Sequence, residues 1–374
     1  MRSLENNFQA KLFLIFSFVL VLATLETLSF LSWKFLLPPS IKVSVQSLCV
    51  PSSAEPIMNP NAFWHHELNP RHDVYRGQTN SEGYKSFDFK MPKPANELRV
   101  ICVGDSTVEG HGLLVDETFP YYLQQLLKRI VSRSTNYKSV SVLNAGIGSH
   151  NSAFALCHLA LRLIHYQPDV VVLKVGYNDY IPYILPGMRY DYTHAFPAPY
   201  MRYISRNPYW SLARHSYLLK AMGILLFNDE VNVPYQDFSG YVSKEKLEAM
   251  DYSSNEDKFY IYAENIRSMI VLCKARGIRI YLLDLPTSPN PKHYAGNNLF
   301  KSQKYRTLIK RFESEAARVA EEEGVSVIPT ADVLESADFR DHCHTLISGN
   351  MKIARKIADF VFHIYPETES NRAK

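Results

Sequence analysis

From Leu98 onward the chain alternates short, β-branched apolar runs with longer stretches of helical periodicity, and this alternation restricts the fold more than any other feature. The runs are 98–104 (LRVICVG), 139–146 (SVSVLNAG), 168–176 (PDVVVLKVG), 278–286 (IRIYLLDLP) and 325–332 (VSVIPTAD). Helical spacing of apolar residues occupies 118–131, 153–166, 257–276, 305–323 and 349–364. The run 168–176 is apolar almost throughout, as expected of a strand buried on both faces of a parallel sheet. Strands that alternate with helices imply right-handed βαβ units and a parallel sheet covered on both sides. Ligands of such sheets bind at the carboxyl ends of the strands, so the residues that end each run are where chemistry is expected.

At 374 residues the chain is long enough for one large α/β domain with additions. A net charge of +4 without a basic run gives no electrostatic footprint for nucleic acid. The 24 Tyr and 20 Phe exceed what a core requires and suggest an aromatic-lined surface or groove. Five cysteines (Cys49, Cys102, Cys157, Cys273 and Cys343) lack paired metal-type spacing. Cys102, Cys157 and Cys273 lie in apolar runs and read as small buried hydrophobes, without a disulfide framework.

Ahead of the alternating body, Leu12 to Ser32 is apolar with Glu26 as its only charge. As a helix it spans roughly 30 Å, the thickness of a bilayer core. Arg2 and Lys11 precede it and Pro38-Pro39 ends it, the pattern of a single-pass anchor with the following domain outside the cytoplasm. Lys34, just beyond, weakens that charge asymmetry. A cleaved signal peptide with its apolar core at 12–24 is the alternative, although Thr27-Leu28-Ser29 is a poor cleavage site. The expected organisation is an anchor at 1–37, a stalk or extended arm at 38–96, an α/β domain at 97–366 and a tail at 367–374. His65-His66-Glu67 in the arm has no second ligand cluster to complete a metal site and reads as solvated or capping. Residues 180–254 form an insertion without sheet pattern, dense in aromatics: Tyr183, Tyr190, Tyr192, Phe196, Tyr200, Tyr203, Tyr209 and Trp210. It either packs over the sheet edge or caps a substrate site, since long insertions at a site rim are often functional.

Four blocks fall at strand ends. Gly104-Asp105-Ser106 turns the first strand into a helix, exposing the Ser106 hydroxyl at the sheet rim with helix N-terminal amides beside it. An ordinary Asp/Ser helix cap accounts for the same tripeptide. Asn144-Ala145-Gly146-Ile147-Gly148-Ser149 ends the second strand, and its glycines permit close backbone approach; a plain strand-to-helix turn is equally consistent. Gly176-Tyr177-Asn178-Asp179 ends the third; Asn178 can donate N–H to an oxyanion or form a simple Asx turn. Near the C-terminus, Asp341-His342-Cys343-His344 spaces a carboxylate three residues before a histidine. His344 is then the base that takes the serine proton, and Asp341 the group that fixes its tautomer and stabilises the imidazolium. His342 competes for the base role, but its register points it elsewhere.

These ordered blocks, with the tail Asp341-x-x-His344-x-x-x-x-Gly349-x-x-x-Ile353-Ala354, resemble the SGNH hydrolases, also called the GDSL esterase/lipase family. The resemblance covers about Leu98 to Ile364. It implies a flavodoxin-like three-layer α/β/α sandwich with a five-stranded parallel sheet. It also implies Ser106 as nucleophile, His344 as base and Asp341 as its partner. The implied oxyanion hole uses the amide of Ser106, an amide of Gly148 or Ser149, and the side chain of Asn178. Ser149 stands where the family most often has glycine, which leaves the choice between Gly148 and Ser149 open. The leader Asn80-Ser81-Glu82-Gly83-Tyr84 is similar to that of membrane-anchored bacterial members associated with surface polysaccharides.

The leading expectation is a serine esterase acting through an acyl-enzyme on an acyl ester, O-acetyl or another short group, of a glycan or small molecule. The same acyl-enzyme can pass its group to a sugar hydroxyl, which would make the protein a glycan O-acyltransferase. A lipid-directed esterase or thioesterase suits the anchor and the aromatic insertion. A non-catalytic, membrane-tethered glycan-binding module would need a broken triad position, and none is broken. No cofactor or metal is expected: no G-x-G-x-x-G follows the first strand and no ligand spacing supports metal catalysis.

Overall fold

The structure, a computed structural model, describes residues 2–38, 58–61, 65–71, 73–74, 77–134, 137–185, 188–192, 208–213, 215–227, 253–294 and 302–363, with positions 41, 42, 45 and 195. The tail 367–374, Cys49 and the insertion aromatics Phe196, Tyr200 and Tyr203 lie outside these residues. The chain divides into two units, Met1–Pro56 with Tyr200–Gln236, and Ile57–Pro199 with Asp237–Lys374.

The larger unit is built on one parallel sheet. Its strands are β1 (Glu97–Gly104), β2 (Ser139–Gly146), β3 (Val170–Lys174), β4 (Arg279–Leu283) and β5 (Val327–Ile328), in the spatial order β2-β1-β3-β4-β5. Every residue of β1 and of β3 is buried, the charged Glu97, Arg99 and Lys174 among them, as expected of central strands covered on both faces. Register pairs Glu97 with Ser139 and Gly104 with Gly146, so the two glycines that end β1 and β2 lie side by side. The run 325–332 yields only two paired residues, because β5 is an edge strand that meets β4 at Leu282 and Leu283 alone.

Its helices are α1 (Ser106–Glu109), α2 (Phe119–Ser134), α3 (Ser152–Leu161), α4 (Tyr180–Ile184), α5 (Phe259–Ala275), α6 (Gln303–Glu322) and α7 (Ile347–His363). Alternate strand residues serve opposite faces. Ile101, Val103, Val171, Leu173, Ile280 and Leu282 pack under α3, α5 and α6. Val100, Cys102, Val172, Tyr281 and Leu283 pack under α2 and α7. The result is the three-layer, doubly wound sandwich expected from the sequence. The helix after β1 and the helix after β3 lie on opposite faces, which opens a crevice at the carboxyl ends of these adjacent strands.

Two insertion aromatics, Tyr183 and Tyr192, are wholly buried in the core, where the Tyr183 ring packs at a tilt of 56° against Phe259, 4.1 Å between ring centres. The described part of the arm carries two short antiparallel pairings, Met58–Asn61 with His65–Leu68 and Asp73–Val74 with Gly77–Gln78. Glu67 pairs with Arg162 at 3.0 Å. Further on, the Tyr84 hydroxyl meets His158 Nε2 at 2.8 Å, and Lys93 reaches Asp169 at 2.6 Å. Arm residues Glu67, Tyr84 and Lys93 are therefore tied to the body of this unit.

In the smaller unit the N-terminal helix runs from Arg2 to Phe35, longer at both ends than the apolar run 12–32. Gln9–Phe35 is long and apolar enough to cross a membrane, a property shared with signal sequences. Two insertion helices, Pro208–Ala213 and Tyr217–Leu226, belong to the same unit. Trp210 and Ala213 are buried together with Val45.

Candidate active site

The chain turns from β1 into α1 within two residues. Asp105 caps the helix: its Oδ1 accepts the Thr107 amide and hydroxyl, each at 2.8 Å. Burial pushes the Asp105 carboxyl upward, with Thr107 and Lys174 opposing. The tripeptide is thus both a helix cap and the support of a half-buried serine, so the two sequence readings are not alternatives. Glycine is needed at both flanking strand ends. A Cβ on Gly104 would stand 2.3 Å from Lys174 O and from Val108 Cγ2, and one on Gly146 would stand 2.2 Å from the Glu109 amide nitrogen. Asn144 then ties β2 to the same helix, donating from Nδ2 to Glu109 O at 3.2 Å and accepting the Gly146 amide at 3.1 Å.

The segment after β5 is held as tightly. Arg340 N donates to His344 O at 2.9 Å and Leu346 N to Asp338 O at 2.7 Å, closing a small loop around residues 341–343. Asn350 stabilises its exit: Oδ1 accepts the Phe119 amide at 2.8 Å, while Nδ2 donates to Thr345 Oγ1 at 3.0 Å. A side chain at Gly349 would meet Asp338 O at 2.9 Å, which explains a glycine five residues after the histidine. Within the loop, Asp341 Oδ1 accepts the amides of Cys343 and His344 at 3.1 and 2.8 Å.

These two constructions meet. His344 Nε2 lies 2.9 Å from Ser106 Oγ, and His344 Nδ1 lies 3.0 and 2.9 Å from the two oxygens of Asp341. A hydrogen-bonded line thus runs from carboxylate to imidazole to hydroxyl, joining Asp341 to Ser106 across 234 intervening positions of sequence. Burial alone would favour neutral Asp341, but His344 and the loop amides outweigh it and hold the carboxyl well below its ordinary range. Burial likewise favours a neutral His344 ring, yet the Cys343 sulfur and Asp341 outweigh it and raise its pKa. His342 points away, its ring against Tyr305 at 5.4 Å and its Nδ1 3.8 Å from Asp341.

The oxyanion candidates lie at the ends of β1, β2 and β3. Asn178 Nδ2 donates one hydrogen to His150 O at 2.9 Å, which fixes the amide plane and leaves a second N–H to its chemistry. Gly148 is buried, and its amide faces the Glu109 carboxyl; Ser149 is exposed at φ 65°, in the left-handed region where glycine is the usual occupant. Asp179 is buried beneath, accepting the Ser152 amide and the Tyr192 hydroxyl, and burial lifts it to about 7.

Several groups of this neighbourhood carry no sequence signal of their own. Lys85, wholly buried, donates to Gly110 O at 3.0 Å just past the serine helix. Burial pushes Glu109 up to about 7 against Lys85 and the Gly148 amide. The His111 ring lies tilted 5.5 Å from that of His344, and burial, helped by His344 and Arg340, lowers its pKa to about 4. Arg340 donates to His111 O at 2.7 Å over Gly112, tying the two halves of the site together. Ligand atoms of Asp341, His342 and Cys343 lie within 4.8 Å of one another, close enough for a metal ion. Asp341, however, already serves His344 and two amides, so no ion is required to satisfy it.

Fold and site together define an α/β enzyme of the hydrolytic kind. A model of the GDSL-like lipase/acylhydrolase family matches residues 102–345; the chain belongs to that family and is an ester-hydrolysing enzyme. No curated protein matches it. Among solved structures it is similar to an acetylxylan esterase from Geobacillus stearothermophilus, at 14% identity and TM-score 0.41, covering 71% of this chain and 94% of that one. A GDSL-like lipase from Bacteroides thetaiotaomicron gives 14% identity and TM-score 0.37, over 71% and 87% of the two chains. At this distance neither substrate nor mechanism carries over from them.

Proposed function

We propose that the protein is a membrane-anchored serine esterase in which Ser106 is the nucleophile, His344 the general base and Asp341 its orienting partner. The observation that carries this reading is the unbroken hydrogen-bond line through Asp341, His344 and Ser106. Ser106 Oγ attacks the ester carbonyl carbon as its proton passes to His344 Nε2, and the imidazolium formed is stabilised by Asp341. Amides of Ser106 and Ser149 and the second N–H of Asn178 receive the developing oxyanion. Ser149 is chosen over Gly148 because the Gly148 amide is turned to Glu109. Collapse expels the alcohol, protonated by His344, and leaves an acyl-Ser106. Water then enters through the same base, returning the free serine and the carboxylic acid.

The acyl group is short and sits on a glycan outside the cytoplasm. Support comes from the Asn80–Tyr84 leader and from the cationic residues ahead of the apolar helix. A hydroxyl of a second sugar can replace water in the last step without any change of residues. Full-length protein should be assayed on p-nitrophenyl esters of increasing chain length and on acetylated oligosaccharides, beside Ser106→Ala and His344→Ala. Both variants should lose roughly 10⁴-fold in kcat with KM little changed, and His342→Ala should be mild. Activity that survives in Ser106→Ala, or a preference for long acyl chains, would count against the reading.

A further inference from the structure

Glu26 is the one charged residue between Leu12 and Ser32 of the N-terminal helix. A lone carboxylate in hydrocarbon is costly and is tolerated where it finds donors. Glu26 has three: it accepts the Ser216 hydroxyl at 2.7 Å, the Tyr217 amide at 2.6 Å and the Leu218 amide at 2.9 Å. These are the first groups of the insertion helix Tyr217–Leu226, so Glu26 caps it and faces the positive end of its dipole. The Tyr217 ring packs on Phe30 at 5.0 Å and Trp33 at 5.9 Å, one and two turns further along. Lys220 Nζ lies 4.5 Å from the Tyr217 ring and 5.5 Å from Trp33. Tryptophan, tyrosine and lysine together form the usual belt of a membrane surface. Behind the helix, Trp210 occupies the space left by Gly223, where a Cβ would come within 2.5 Å of the indole.

This hairpin also carries bare apolar side chains. Leu225 is 81% exposed, Leu212 69% and Leu226 64%. Glu26 lies nine residues before Phe35, roughly 13 Å along a helix axis, which places the cap below the bilayer surface if the N-terminal helix spans it. We infer that the insertion helix Tyr217–Leu226 is itself a membrane element, fixed to the spanning helix through Glu26, with Leu212, Leu225 and Leu226 in contact with lipid acyl chains. The inference rests on the reading of Gln9–Phe35 as a spanning helix and extends it. The helix that carries Leu225 and Leu226 is joined to that spanning helix through Glu26 and Tyr217, so the occupant is the same bilayer.

The test places photoreactive benzoylphenylalanine at Leu225, at Leu226 or at Leu20 in full-length protein reconstituted into phosphatidylcholine vesicles, with adducts identified by mass. Lipid adducts at all three positions are expected. Glu26→Leu should reduce the adducts at Leu225 and Leu226 about fivefold, the effect of losing a helix cap, and leave Leu20 unchanged. Adducts at Leu20 alone would overturn the inference while the spanning helix stands. Crosslinks between protein copies at Leu225 would overturn it in favour of a second copy of this chain. No lipid adduct at Leu20 would remove the spanning helix and the inference with it.

Discussion

Gly146→Ala isolates the contact that sets the position of Ser106, the proposed nucleophile. A methyl group at Gly146 would lie 2.2 Å from the Glu109 amide nitrogen, 2.7 Å from the Val108 carbonyl carbon and 2.8 Å from Val108 Cβ. None of these atoms is the end of a flexible side chain, so α1 must move away from β2 as a body. Overpacking of this kind costs about 3 kcal/mol, and a domain of this size should lose roughly 6–12 °C in Tm. Ser106 begins the displaced helix, and a shift near 1 Å at a reacting atom is worth roughly 10²-fold in rate. Gly277→Ala provides the contrast, because nothing lies within 4 Å of the added methyl and only its φ of 68° resists the change. That variant should lose about 1–2 kcal/mol with kcat intact. Differential scanning calorimetry and kcat on p-nitrophenyl acetate report the two effects separately. Wild-type kcat in Gly146→Ala, with no more destabilisation than Gly277→Ala, would refute the claim that this packing positions the serine.

His344, as the proposed base, must be neutral to accept a proton, so its raised pKa should move the rising limb of kcat/KM to higher pH than a free imidazole would give. Cys343→Ser removes the sulfur that helps raise it, and the limb should move down in pH; an unmoved limb would exclude that coupling. Asn178→Ala should lower kcat roughly 10²–10³-fold, and Asn178→Asp should be worse, because it sets a charge beside a developing one; equal activity would make Asn178 a turn residue only. Ser149→Gly should stabilise the protein by about 1 kcal/mol, read as a rise in Tm, because φ 65° strains serine, and should keep activity if the amide is the donor. A large loss of kcat there would assign the role to the hydroxyl instead.

The sheet was legible because its strands are buried on both faces, and continuous apolar runs such as 168–176 follow from that burial. Strand limits were legible only where pairing is extensive: β1 and β2 differ from their runs by at most one residue, whereas 325–332 contains just Val327 and Ile328 as strand. The Ser106, Asp341 and His344 positions could be read because each sits in a short block whose spacing reflects local geometry, namely a strand-to-helix turn and one closed loop. Lys85, Glu109, His111 and Arg340 could not be read that way. Their importance arises from contacts between distant segments, Lys85 with Gly110 and Arg340 with His111, which leave no periodic or spaced pattern in either partner. The arm looked irregular for a similar reason. Residues 79–93 reach the α/β body through single side-chain contacts, Tyr84 to His158 and Lys93 to Asp169, rather than through a repeating ladder. Glu26 stood out as a charge within an apolar run, but the helix that it caps lies almost 200 positions away, with Ser216, Tyr217 and Leu218 at separations of 190, 191 and 192.

The most direct test of the central claim is covalent labelling of the full-length protein with a fluorophosphonate, followed by peptide mapping. The account predicts one adduct per chain, on Ser106, absent from Ser106→Ala and greatly slowed in His344→Ala. An adduct on another residue, or labelling that persists in Ser106→Ala, would contradict it.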